Sequence, residues 1–288
     1  MAVYKQHYKR YDGPITDERW RFAVLPRFSF QTAFESKGFT AFFMLCFMPS
    51  IIALVVLYLR SNLDLLQSVG MDLGSAFPID SRFFKTVFQI QSFLTFLLAM
   101  YVGPGLVSPD LTNNALPLYL SRPFSRQEYV LGKLMVIVTL GSLITWIPGL
   151  LLFLVQSNLE DGWMGSHLRI AFAIVAGSLI WIFTVSLIAL AVSAWVKWKP
   201  IAAGAMFGVF FVAAGFGEIS NEILELETKW GILMNITEVM NMIWEWLFDA
   251  TTVYRTLPVW SAFVSAIAFC SAALLMLWKK IRACEVVR

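Results

Sequence analysis

Charge falls along this chain in clusters, and long stretches between the clusters carry none. No Asp, Glu, Lys or Arg occurs between Lys37 and Arg60, Lys85 and Asp110, Lys133 and Glu160, Arg169 and Lys197, Lys199 and Glu218, or Arg255 and Lys279. A helix crossing the hydrocarbon core of a bilayer needs ~20 mostly apolar residues. The six runs therefore predict spanning helices near 39–59, 83–107, 130–155, 170–196, 200–217 and 257–278, the fifth being the shortest. The expected fold class is all-α, a polytopic membrane protein. Before the first run, Pro26 suits a first helical turn, and Phe30, Ala33 and Phe34 share a face opposite Gln31, Glu35 and Lys37. Residues 26–38 thus read as an amphipathic helix lying in the headgroup plane.

Between the fifth and sixth runs, residues 218–255 hold seven acids against two bases, yet they are rich in Ile, Leu, Met and Trp. Ile219, Ile223, Leu226 and Trp230 recur at helical spacing, as do Met240, Ile243, Trp244 and Leu247. Neither stripe is long enough to cross. Two short helices dipping into the outer leaflet are expected, with Trp230, Trp244 and Trp246 at headgroup level. Glu218, Glu222 and Glu225 read as a solvated face in preference to a metal site. The organisation is then a cytoplasmic segment 1–38, a transmembrane domain 39–278 with a loop at 108–133 and external half-helices at 218–255, and a tail 279–288.

Composition sharpens this picture. Of 288 residues, 58% are hydrophobic and only 14% charged, and the mean hydropathy is +0.70. Soluble domains carry about 25% charged residues, so a soluble enzyme is excluded as the main body. The first 38 residues are polar, so no cleavable signal peptide is expected. Six spans put both termini on one side, and lysine and arginine choose which. With the termini cytoplasmic, 16 of the 22 basic residues lie inside and 6 outside, while acids divide 7 against 12. The expected location is the cytoplasmic (inner) membrane of a cell, with both termini inside.

Candidate chemistry is sparse. The three cysteines suggest no pair, and two histidines are too few for a histidine-built metal site. No HExxH, GxSxG or GxxxxGK[ST] occurs; at the only Gly-Lys, Gly132-Lys133, the first glycine of a phosphate loop is replaced by Gln127. Ionisable residues inside spans would mark proton or ion coupling, and the central parts of these runs have none. No catalytic residue, metal or cofactor is expected in this chain. The neutral residues Gln89, Gln91 and Thr95 of the second span either line a polar path or bond between helices. Gly204 and Gly208 form a GxxxG in the fifth span, which permits close helix approach, within one chain or between two.

The loop at 108–133 is the most informative stretch. Gly103-Pro104-Gly105 loosens or ends the second span, and Ser108-Pro109-Asp110 then reads as a helix start, with Ser as cap, Pro in the first position and an acid in the first turn. Pro117 stops that helix near Leu116. A second start follows, where Ser125 and Glu128 make a capping box and Phe124 with Tyr129 a hydrophobic staple.

This loop resembles that of ABC-2 type export permeases. The match covers Asp110, residues 116–120, Ser121, Arg122, Pro123, Ser125, Arg126, Glu128, Tyr129, Gly132 and Lys133. Where the family often has Gly-Thr or Gly-Ala after the acid, this chain has Asn113-Asn114-Ala115, which leaves the form of that turn open. The resemblance implies a coupling helix docking on a separate ATP-binding-cassette ATPase subunit, through Asp110, Leu111, Asn114, Leu118, Arg122, Arg126 and Glu128. It further implies that ATP and Mg are bound by that partner, that a second permease chain (identical or related) packs where spans one and five meet, and that no nucleic acid is involved. A non-transporting scaffold or sensor of the same architecture is the alternative, and for Arg122 and Arg126 simple anchoring at anionic headgroups.

Overall fold

A computed structural model describes residues 22–62, 78–113, 115, 125–223, 229–250 and 257–282, and every element among them is helical. Six of the helical stretches are long and apolar enough to cross a membrane. They coincide with the six charge-free runs, each extended by a few residues into its charged flank.

The first three crossings are each built from two helices. Span one joins α2 (Lys37–Leu45) to α3 (Met48–Ser61), span two joins α4 (Ser81–Val102) to α5 (Pro104–Thr112), and span three joins α6 (Arg126–Ile144) to α7 (Trp146–Leu159). A proline follows each break closely: Pro49, Pro104 and Pro148. Proline lacks the N–H that the helix ladder requires and its ring collides with the carbonyl one turn back, so the ladder is interrupted there; Cys46, Phe47 and Gly103 nonetheless keep right-handed helical dihedrals, and Thr145 does not. Pro49 and Pro104 then occupy first-turn positions of the next helix, where a missing N–H costs nothing.

Span four, α8 (Trp163–Trp195), is the hub. Seventy-two per cent of its most apolar window is buried, against 17% for span one and 22% each for spans five and six, α9 (Lys199–Ile223) and α11 (Val259–Arg282). Helices α4, α5, α6, α7, α9, α10 (Ile236–Phe248) and α11 all pack on it. Ala173, Gly177, Ser178, Ala189, Ala191 and Ala194 on α8 are all buried, and such small side chains let neighbouring backbones approach closely.

The amphipathic segment departs from expectation. Helix α1 (Val24–Glu35) ends three residues early, because Ser36 turns extended and its hydroxyl accepts from the Phe39 N–H at 3.4 Å, starting α2. Phe30 and Ala33 pack on the core, while Phe34 is exposed and meets the rings of Phe39 and Phe43 at 5.1 and 5.4 Å.

The segment after span five differs more. Only one of the two expected short helices is separate, since Ile219 and Ile223 belong to α9, which runs on past Gly217. A 3-10 turn, Trp230–Met234, then folds back against it. The return is tight: a Cβ on Gly217 would lie 2.5 Å from the Gly231 carbonyl oxygen, and Asn221 Oδ1 accepts from the Gly231 N–H at 2.7 Å. Leu226 lies outside the described residues. Helix α10 has its expected stripe, but the stripe faces protein. Met240, Ile243, Trp244 and Leu247 are buried, and Trp244 sits edge-on to Phe88 and Trp181 at 5.1 and 5.6 Å. Trp244 therefore faces protein neighbours, whereas Trp230 and Trp246 are exposed. An apolar stripe serves a protein neighbour and a lipid equally well, so periodicity alone does not tell them apart.

Candidate functional site

Helix α5 begins one turn earlier than its sequence suggests. Gly103 precedes it and Ser108 lies inside it, with Pro109 also internal. What compensates is tertiary. Ser193 of α8 accepts from the N–H groups of Val107 and Ser108 at 3.2 and 3.0 Å and donates to the Pro104 carbonyl at 3.2 Å. The Ser108 hydroxyl in turn donates to the Lys197 carbonyl. Ser108 is thus a cross-link to the end of α8, not a cap, and the helix ends at Thr112, short of Leu116.

Asp110 consequently sits in the last turn of α5, where the helix dipole disfavours an acid. It is held there by α6. Its Oδ2 receives the Tyr129 hydroxyl at 2.8 Å and lies 2.9 Å from Lys133 Nζ, which is itself 5.7 Å from the Tyr129 ring centroid. Tyr129 is fully buried and the Lys133 side chain only 8% exposed. The triad fixes α5 to α6 across the stretch 113–124. The re-entry into α6 is as expected: Ser125 N–H donates to Glu128 Oε2 at 2.6 Å and Glu128 N–H to Ser125 Oγ at 3.2 Å, a complete capping box. Arg126 opens α6 half-buried, and Leu111 packs on the core. Asn114, Leu118, Arg122 and the staple residue Phe124 lie outside the described residues.

Gly132, from the loop motif, has a packing role that the sequence does not announce. A Cβ there would lie 3.0 Å from the Phe22 carbonyl and 3.1 Å from Leu25, so its absence lets the start of α1 rest on α6. Between α1, α5 and α6 opens a polar cleft of about 490 Å³, with Asp110, Lys133, Lys199 and the hydroxyls of Ser29, Thr32 and Tyr101 on its walls.

The three neutral candidates of span two separate. Gln91 donates to Ser50 of α3, and the Thr95 hydroxyl donates to the Gln91 carbonyl at 2.8 Å, both deep in the bundle. Gln89 instead donates to Asn241 of α10 at 3.1 Å and borders a second cleft, of about 460 Å³, between α4, α8, α9 and α10. One helical turn before Gln89, Lys85 meets Glu245 at 3.1 Å, with each side chain 9% exposed. The two bonds run antiparallel, 85 to 245 and 89 to 241, and tie α10 to α4. Sequence reading missed this pair. The signal was present as Lys-x-x-x-Gln and Asn-x-x-x-Glu, complementary when reversed, but nothing marked those two stretches as neighbours. Arg169 adds a second tie, donating to the Leu247 and Trp246 carbonyls at the end of α10 and pairing with Asp249 at 3.0 Å.

Among the described residues nothing packs over Gly204 or Gly208; the space a Cβ would fill at either is open to 4 Å. Among the described residues no three His, Cys, Asp or Glu side chains gather as metal ligands would.

No curated protein matches this chain in sequence. The family described as ABC-2 family transporter protein matches residues 29–279, from α1 to the end of the last span. With six apolar crossings and that match over most of its length, the chain belongs to the ABC-2 transporter family, as a membrane permease component of an ATP-binding-cassette transporter.

Proposed function

We propose that this permease works as an exporter driven by a separate ATPase subunit, which docks at the end of the bundle where α5 meets α6. The observation that carries the reading is the Asp110–Tyr129–Lys133 triad. A docking element transmits force only if it is rigidly joined to the spans, and here a short helix is fastened to α6 by a charged hydrogen-bonded contact and to α8 by Ser193. Arg126 and Glu128 stand at the capped re-entry beside it, and Asn114, Leu118 and Arg122 belong to the same loop. ATP and Mg are the partner's to bind, because this chain has no phosphate-cradling sequence. The open glycine face of α9 and the sparsely buried span one support a second permease chain packed along them. The basic-residue asymmetry supports cytoplasmic termini in the inner membrane.

Co-expression with the cognate ATPase, followed by detergent purification, tests the reading. A complex of two permease and two ATPase chains is expected, with hydrolysis dependent on the ATPase. Robust hydrolysis by the permease purified alone, or a permease that never retains the ATPase, overturns it.

A further inference from the structure

The cleft beside α10 has a chemistry of its own. Its walls are aromatic: Phe96, Trp181, Phe207, Phe210, Phe211 and Trp244 all border it, with the rings of Phe207 and Phe211 4.4 Å apart and tilted by 32°. Gln89, Asn235, Thr237, Asn241 and Glu238 supply polar groups, and among the described residues Glu238 is the one charged side chain on its lining. Among the described residues no lysine or arginine pairs with Glu238.

From this juxtaposition of π-faces and one unpaired carboxylate, we propose that the cleft binds a lipophilic organic cation. The face of an aromatic ring is electrically negative and attracts a cation placed over it. A nearby carboxylate adds to that attraction, and both repel an anion of the same shape. The volume of about 460 Å³ falls in the range of sites for compact organic ligands, roughly 300–1,000 Å³. An acyl chain would gain nothing from Glu238. The proposal names the cargo class of the exporter proposed above, and it rests on that reading for the word cargo, though not for binding.

The test uses two ions of nearly equal shape and opposite charge. Purified full-length permease in a neutral detergent, without the ATPase, is dialysed to equilibrium against tetraphenylphosphonium and, separately, tetraphenylborate. Saturable phosphonium binding is expected, with the borate at least about tenfold weaker. Glu238→Gln should weaken phosphonium binding about tenfold and bring the two ions closer, while Glu238→Asp keeps most of the preference. Glu222→Gln, an exposed acid away from the cleft, should change nothing. Glu238 is exposed on the first turn of α10, so its variants are expected to fold, and size-exclusion elution checks this. Equal binding of both ions, no saturable binding, or a Glu238→Gln variant that keeps the preference overturns the proposal. Retention of the ATPase by the same preparations is read separately. An intact complex without ion preference sinks only the cation site, and ion preference without a complex sinks only the exporter reading.

Discussion

Two buried lysine–carboxylate pairs stand at opposite ends of the bundle. Lys133 meets Asp110 at 2.9 Å within the family-like loop region, joining residues 23 positions apart. Lys85 meets Glu245 at 3.1 Å across 160 positions, in segments with no motif. Both pairs fasten a short helix to a spanning one, yet they differ in setting. Asp110 is 16% exposed, borders a polar cleft and shares its load with Tyr129, whereas Lys85 and Glu245 are each 9% exposed. Burial raises the cost of losing one partner, and access to solvent lowers it. The pair at the α10 end should therefore govern stability, and the pair at the α5 end should govern partnership.

The largest effect is expected from Lys85→Met. It removes the Lys85 ammonium from beside the buried Glu245 carboxylate, and breaking such a pair should cost ~3–5 kcal/mol, seen as a marked fall in thermal unfolding temperature in detergent. The double variant Lys85→Met with Glu245→Met should recover most of that loss, since an apolar pair removes both desolvation costs. Failure to recover would show that the pair supplies more than a satisfied contact. Asp110→Asn keeps an acceptor for Tyr129 but strips Lys133 of its counter-charge, so about 2–3 kcal/mol is expected. Its distinguishing sign is loss of ATPase retention; a Lys85→Met protein that loses the ATPase while Asp110→Asn keeps it would reverse the assignment of roles.

Smaller effects calibrate the scale. Ser125→Ala opens the capping box at the start of α6 and should cost ~1 kcal/mol, measured in the same unfolding experiment. Arg169→Gln removes an ion pair whose side chains are 50% and 68% exposed, and it should cost less than about 1 kcal/mol, diminishing further in salt. A larger loss there would mean that its bonds to the Leu247 and Trp246 carbonyls, not the charge, hold the end of α10.

The same contrast explains what could be read in advance. All six spans were legible because charge is costly in hydrocarbon and therefore marks their ends. The Ser125–Glu128 box was legible because its partners are three residues apart. The start of α5 was misread because Gly103-Pro104 and Ser108-Pro109 both carry helix-start chemistry. The choice between them rests on Ser193, 85 residues away. Helix α9 outran its expected end because Glu218 only borders the apolar run and does not stop a helix. The Lys85–Glu245 pair, the burial of Trp244 and the packing role of Gly132 share that origin, since each depends on which segments become neighbours.

The break in span three carries a mechanical consequence. It divides the crossing into two helical rods, α6 and α7, joined at Thr145, whose backbone leaves helical geometry, whereas Cys46, Phe47 and Gly103 at the other two junctions keep right-handed helical dihedrals. A 14-residue rod such as α7 is ~21 Å long at 1.5 Å per residue. Tilting it by ~10° about Thr145 swings its far tip by about 4 Å, a displacement comparable to a side chain's width. A small change of angle at Thr145 would therefore reach the far end of α7 enlarged, along the face where α7 packs on α3.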